Sequence, residues 1–247
     1  MPLSIKDIIK LIKKCQKYYN VFVNFSGGRH SLVVLHLALK ALREVKAVYI
    51  DTTITLPECN QYVNEVCERW GVELITLKRE DIDFWDLVTK WGFPHRRFRW
   101  CMREFKSTPL RMFNDYTDER CLHLTGVTLS ESNDRKRVYS IRGMLHFNAN
   151  IHSYVLHPIL YWDERMVDKY IRKYGLPVNP CYSIYGREGN CYYCPFITDK
   201  DYYLKLSERH PSLFKKIVEA EMSMKKGGAA IYLGRGKRLH IKDLVLK

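Results

Sequence analysis

The segment that most constrains this chain is an apolar run followed at once by a glycine turn. Val21-Phe22-Val23-Asn24-Phe25 leads into Ser26-Gly27-Gly28-Arg29-His30-Ser31, and Leu32, Leu35 and Leu39 then recur at helical spacing. A strand, a turn with two glycines flanked by serines, and a helix make an anion-binding arrangement. Glycine lets the backbone approach a phosphate closely, and the helix start aims unpaired N–H groups and a positive dipole end at it. The spacing is not the Walker pattern, because no Gly-Lys-Ser/Thr closes the loop.

Around this turn, apolar runs and amphipathic stretches alternate. The pattern predicts helices over 4–18, 30–43, 57–70, 83–90, 102–114 and 162–174, with Pro109 beginning or kinking the fifth. It predicts strands over 20–25, 46–51, 73–77, 121–127 and 153–156. Such alternation implies an α/β fold, a doubly wound and mostly parallel five-stranded sheet with helices on both faces. Ligands of such sheets lie at the carboxyl ends of the strands. Ser26–Ser31, Asp51–Thr53 and Gly126–Arg135 all fall there.

After residue 178 the pattern changes. Residues 179–199 carry cysteines, glycines, prolines and tyrosines without a clear period. Helical stretches follow over 199–208 and 211–225. Gly227-Gly228 and Gly234-Arg235-Gly236 break the chain, and His240 to Leu246 reads as a short closing helix. The expected division is a nucleotide-binding α/β domain over 1–178 and a cysteine-rich loop with a helical extension over 179–247, packed on it.

Net charge is +14, from 41 basic and 27 acidic side chains. That balance suits a polyanionic partner. Basic residues are dense at His95-Arg96-Arg97-Phe98-Arg99 and at Arg235-Gly236-Lys237-Arg238; Arg96, Arg97 and Arg99 interleave with Phe98 and Trp100, as in nucleic-acid or nucleotide stacking. No apolar run approaches the ~20 residues of a membrane span, and the first residues lack a signal-peptide core. A cytoplasmic protein with no membrane partner is expected.

Eight cysteines in such a chain point to metal binding or thiol chemistry rather than a disulfide framework. Cys191-Tyr192-Tyr193-Cys194-Pro195 offers two thiolates three positions apart, and Cys181 lies ten residues before. Cys101 is the candidate fourth ligand, in a basic turn where arginines and a helix start favour a thiolate. Four such cysteines fit an iron–sulfur cluster, and they also fit zinc. Cys15, Cys67 and Cys121 read as core, while Cys59 follows the second strand's loop and is a candidate for handling sulfur. His123, His146, His152 and His157 show no ligand spacing. Glu131 and Asp134 are candidates to assist Mg²⁺.

Five elements in shared order resemble the phosphoadenosine phosphosulfate (PAPS) reductase family of PP-loop ATP pyrophosphatases. They are Ser26–Ser31; Asp51-Thr52 before Leu56-Pro57-Glu58; Arg99-Trp100-Cys101 with Lys106 and Pro109-Leu110; Gly126-Val127-Thr128 with Glu131-Ser132 and Arg135; and Pro158-Ile159, Trp162, Pro177, Asn179-Pro180 and Cys191–Pro195. The cysteine layout is nearest to cluster-bearing members similar to the DNA-phosphorothioation sulfur-transfer proteins. The resemblance implies that Ser26, Gly27, Gly28, Arg29, His30, Ser31, Asp51, Thr52 and Gly126 bind ATP or a related adenine nucleotide with Mg²⁺. It implies that Cys101, Cys181, Cys191 and Cys194 hold a [4Fe–4S] cluster, with Lys106, Arg135 and Cys101 as catalytic residues.

Two departures stand out. Arg29-His30 replaces the usual Lys-Asp of the loop; Arg29 keeps a cation for phosphate, while His30 removes a carboxylate. The family's sulfonucleotide reductases end in a Glu-Cys-Gly-Leu-His tail, and no cysteine follows Cys194 here, which argues against a reductase working by that tail. The leading expectation is an ATP pyrophosphatase coupled to cluster-dependent sulfur transfer. The alternatives are an APS or PAPS reductase releasing sulfite, and a non-catalytic nucleotide or nucleic-acid-binding module with a structural metal. Expected partners are an adenine nucleotide, a nucleic-acid acceptor (tRNA or DNA), a protein donor of sulfur or electrons, and a second copy in a homodimer.

Overall fold

The computed structural model describes residues 2–117, 120–224, 230–232 and 238–244. Helix α1 (Ile5–Cys15) starts at Ser4, whose hydroxyl accepts the Asp7 N–H, and buries Ile8, Ile12 and Cys15. Then come β1 (Asn20–Asn24), α2 (Arg29–Ala41), β2 (Lys46–Asp51), α3 (Pro57–Arg69), β3 (Glu73–Lys78), α4 (Phe84–Trp91), α5 (Trp100–Met102), α6 (Thr108–Thr117) and β4 (Cys121–Leu124). The second half holds α7 (Asn133–Arg142), β5 (Leu145–Asn148), β6 (Ser153–Leu156), α8 (Glu164–Tyr174), α9 (Cys181–Tyr185), α10 (Lys200–Arg209), α11 (Pro211–Met222), β7 (Ala230–Tyr232) and β8 (Arg238–His240).

The main sheet runs β3-β2-β1-β4-β6-β5, and every neighbouring pair is parallel except β5 with β6. It therefore has six strands, not the expected five. The extra strand, β5, is a four-residue edge whose side chains are exposed or half-buried. Leu145, His146, Phe147 and Asn148 alternate apolar and polar, but four residues are too short a run to mark a strand. Helix α7 lies where no element was expected, because none of its residues is buried and it has no amphipathic signal.

The expected helix over 102–114 is divided. Short α5 passes into a π-helical turn over Arg103–Ser107, and α6 begins at Thr108. Pro109 thus sits in a first helical turn, where its missing N–H costs nothing. The expected closing helix over 240–246 is instead the end of β8 and a 3-10 turn over Ile241–Leu244. The breaks at Gly227-Gly228 and Gly234-Arg235-Gly236, and Arg235 to Lys237 of the second basic stretch, lie outside the described residues. Among the described residues no helix is long and apolar enough to cross a membrane.

Strand alternation sorts the core onto both faces of the sheet. Val21, Val23, Ala47 and Tyr49 join α1, α2 and α8 on one side, whereas Phe22 and Val48 join Leu110 of α6 on the other. A further apolar cluster joins Leu56, Phe84, Trp100 and Phe105 to Tyr185, Tyr192, Tyr202, Leu206 and Ile217, so the cysteine-rich segment and the later helices share a core with residues 54–105.

Buried histidines tie these layers together. On the α6 side, His123 Nε2 meets Asn114 Oδ1 at 2.8 Å, and Asn114 Nδ2 donates to Ile151 O at 2.7 Å. His123 Nε2 therefore donates to Asn114 Oδ1, and Nδ1 lies 2.7 Å from Asn24 Oδ1. Burial lowers the pKa of both His123 and His157 to about 3. As pH falls below 6.5 the unfolded chain takes these protons first, so the stability present above that pH is lost progressively toward pH 3. Urea unfolding at pH 7 and pH 5 should differ by about 2 kcal/mol for each of the two. Equal stability at both pH values would contradict the buried neutral assignment.

Candidate functional site

The phosphate loop is built at the carboxyl end of β1. Gly27 has φ 79°, a left-handed conformation, and a Cβ there would lie 3.0 Å from Cys59 Sγ and 3.1 Å from Asn179 Nδ2. Ser31 Oγ donates to Gly28 O at 2.8 Å and accepts the Ser26 N–H at 3.3 Å, which closes the turn onto the start of α2. Gly126, just past β4, packs against that start: a Cβ would lie 2.7 Å from His30 C and from Ser31 N.

The loop's two unusual residues face α8 instead of the loop's interior. Arg29 pairs with Asp168 Oδ1 at 2.7 Å and Glu164 Oε2 at 2.9 Å. His30 Nε2 lies 2.9 Å from Glu164 Oε1, at ion-pair distance but not aligned as a hydrogen bond. Cys59 is buried beneath the loop, and burial pushes its thiol up to about 12, so it stands as a neutral packing group.

The turn after β2 belongs to the same edge. Asp51 Oδ1 accepts the Thr53 N–H at 2.9 Å. Thr52 is buried, and its hydroxyl donates to Asn190 O at 2.9 Å, so this side chain fixes the cysteine-rich segment. Thr53 has φ 64°, which strains a β-branched residue, and its buried hydroxyl has no partner. Replacing Thr53 with Gly should raise stability by about 1 kcal/mol, or a melting rise of about 2–4 °C. A lower melting temperature would show that the threonine side chain contributes more than its backbone costs.

A cavity of about 330 Å³ opens beside this turn. Cys101, Cys191 and Cys194 line it with Lys106, Arg135, Arg187 and Asn190. The basic turn before α6 brings Cys101 and Lys106, and the loop after α9 brings Cys191 and Cys194. Lys106 Nζ donates to Asn190 Oδ1 at 2.9 Å, and the nearby Cys191 raises its pKa above the ordinary lysine value. Burial, with Cys191 and Cys194 nearby, pushes the Cys101 thiol up to about 11. Cys181 is not on this cavity. It is buried, with its sulfur 2.9 Å from where a Gly189 Cβ would be, and burial pushes its thiol up to about 12. Three of the four expected cysteines are thus brought together and the fourth is set apart.

Three sulfurs with lysine and arginine as counter-charges are a donor set suited to an iron–sulfur cluster or zinc. They are not preassembled: among the described residues no three His, Cys, Asp or Glu side chains stand close enough to hold a metal ion as placed. The carboxylates expected to assist Mg²⁺ are engaged. Glu131 accepts the Thr128 N–H at 2.9 Å and pairs with Arg135, and Asp134 faces Arg137.

Some groups at this site carried no functional expectation. Nothing in the sequence marks Asn190, and Asn179 enters only within the Asn-Pro element of the resemblance. Asn179 Nδ2 donates to Gly27 O at 3.1 Å and to Glu188 O at 2.8 Å, joining the phosphate loop to the cavity wall. Tyr182 accepts the Arg29 N–H at 3.2 Å. A tyrosine in an aperiodic segment carries no local signal of such a role.

A mostly parallel α/β sheet with a glycine turn at the carboxyl end of its first strand is the architecture of a nucleotide-binding protein, and the family match makes it one of the PP-loop class. The family model for the phosphoadenosine phosphosulfate reductase domain matches residues 20–195, and the chain belongs to that family. An uncharacterized protein of Methanocaldococcus jannaschii is 32% identical over 215 residues, covering 86% of this chain and 42% of the relative, so the chain spans less than half of that relative's length. The phosphoadenylyl-sulfate (PAPS) reductase of Candida auris, solved with phosphate, overlays with a TM-score of 0.57 at 18% identity, over 73% of this chain and 84% of that one. Candida glabrata FMN adenylyltransferase overlays with a TM-score of 0.54 at 16% identity, over 74% and 59%. These overlays establish the fold.

Proposed function

We propose that the chain is an ATP pyrophosphatase that activates an acceptor for sulfur transfer. The acceptor oxygen bonds to the α-phosphorus of ATP as the bond to pyrophosphate breaks. A sulfide-level sulfur then forms a bond to the acceptor carbon, and AMP leaves with that oxygen. The observation that carries this reading is the cavity, where three thiols and the cations Lys106, Arg135 and Arg187 meet along a wall joined to the phosphate loop through Asn179.

In this reading the loop amides bind the phosphates, the Ser26 hydroxyl turns to them from Ser31 Oγ, and Mg²⁺ arrives with the triphosphate. Lys106 and Arg135 neutralise charge developing on the α-phosphate. Cys101, Cys191 and Cys194 hold a [4Fe–4S] cluster, or zinc as the alternative, while Cys181 packs behind Gly189. Such a cluster, when bound, supplies iron that carries sulfur or electrons. The acceptor is a nucleic acid, tRNA or DNA. Arg96 and Arg99 lie 5.5 and 5.6 Å from the centre of the Phe196 ring, and Phe98 and Phe196 are each 46% exposed, which suits stacking of bases among guanidinium groups.

Protein purified without oxygen is expected to be brown, with about four irons and four sulfides per chain, and to convert ATP to AMP and pyrophosphate when acceptor RNA or DNA is added. A colourless protein with one zinc and no AMP formation would refute this reading. The family match also supports a second one, an APS or PAPS reductase, and release of sulfite from either nucleotide would establish it.

A further inference from the structure

Three hydroxyl groups surround the space above Gly28. A Cβ built there would lie 3.5 Å from Ser26 Oγ, 3.6 Å from Tyr182 Oη and 3.8 Å from Ser31 Oγ. Two of these belong to the loop. The third comes from α9, 153 positions along the chain from Arg29.

The hydrogens of these groups separate their roles. Ser31 Oγ spends its proton on Gly28 O at 2.8 Å. Ser26 Oγ, 3.3 Å from Ser31 Oγ, is therefore the donor of that pair. Tyr182 Oη accepts the Arg29 N–H at 3.2 Å, and among the described residues no acceptor takes its own proton. The ring is also held in place. The Arg29 guanidinium lies 5.3 Å from its centre and is tied in turn to Glu164 and Asp168. Three residues before it, Asn179 anchors the same segment to Gly27 O.

We propose that Tyr182 is a phosphate-binding residue: its hydroxyl donates to a nucleotide phosphate oxygen seated over Gly28 while its lone pair keeps the Arg29 N–H. This rests on the nucleotide-binding reading above and adds to it a group from outside the loop. A phosphate oxygen only accepts, so the cradle needs donors. A phenol that itself accepts an N–H is polarised into a stronger donor. Burial keeps the phenol protonated by pushing it up to about 12. The assignment also links the two halves of the site, since the chain that carries Tyr182 continues through Gly189 and Asn190 to the Lys106 contact and the thiol cavity.

The test is calorimetric titration of inorganic pyrophosphate and ATP into the unmodified protein and its Tyr182→Phe and Ser26→Ala variants, with thermal unfolding of each. Tyr182→Phe keeps the ring beneath Arg29 and removes only the donor. Expected are a near-unchanged melting temperature, roughly tenfold weaker binding, and slowed hydrogen exchange over 179–190 on adding pyrophosphate to the unmodified protein but not to the variant. Unchanged or tighter binding by Tyr182→Phe, with Ser26→Ala weakened, overturns the assignment alone; tighter binding would mark the hydroxyl as a competitor for the Arg29 N–H. No binding by the unmodified protein removes the nucleotide reading and this assignment with it.

Discussion

Gly126→Ala will lose about 3 kcal/mol of stability or more, a fall of about 6–12 °C in melting temperature, and with it the affinity for pyrophosphate. The added methyl meets His30 C and Ser31 N at 2.7 Å and His30 Cβ at 2.8 Å. Two of these three are backbone atoms of the first turn of α2, and that turn is held by the Ser31 to Gly28 hydrogen bond and by the packing of Leu32 to Leu35 in the core. The helix start must therefore shift, and the amides aimed at a phosphate shift with it. Gly71→Ala is the comparison, because Gly71 has φ 62° and no atom within 4 Å of its added methyl. That variant measures the backbone cost without a clash, about 1 kcal/mol. Equal losses in the two variants would show that the close approach at Gly126 is not what matters.

The second large effect concerns the thiols. Ser substitution of Cys101, Cys191 or Cys194 should each remove most of the bound iron and sulfide from protein purified without oxygen. Cys181→Ser should retain both, with a modest loss of stability from repacking behind Gly189. The distinction rests on placement: three sulfurs line the cavity and one does not. Serine is nearly isosteric but a poor ligand for soft metals. Loss of iron in Cys181→Ser at unchanged melting temperature would restore it as a ligand. Retention of iron in all three cavity variants would mean that the cysteines do not hold a cluster.

The parts of this protein legible in its sequence are those in which a residue's own neighbours reveal its environment. Val21–Phe25 announces a strand buried on both faces, and Ser26–Ser31 announces a turn only glycine can make. Leu32, Leu35 and Leu39 announce the helix behind it. Those patterns also place the site, because a parallel sheet brings its strand ends together at one edge. Cys191-Tyr192-Tyr193-Cys194 is readable as a pair for the same reason, since its spacing is local.

The rest depended on residues far apart in the chain. Arg29 is a natural phosphate cation until α8 supplies Glu164 and Asp168, about 140 positions away. Thr52 is a plausible nucleotide contact until Asn190 O takes its proton. Edge strand β5 is too short for its alternation to stand out, and polar α7 buries no residue that could leave a periodic trace. Composition could show that four cysteines were available, but only packing could divide Cys181 from the other three. Hydrophobic period and glycine stereochemistry act locally, so the α/β architecture, the phosphate loop and the edge of the sheet where chemistry gathers are written in the order of the residues. The tertiary structure decided which charges are spent, which thiols share a cavity and that Tyr182 reaches the loop, because hydrogen bonds and ion pairs depend on partners that only the folded chain brings within reach.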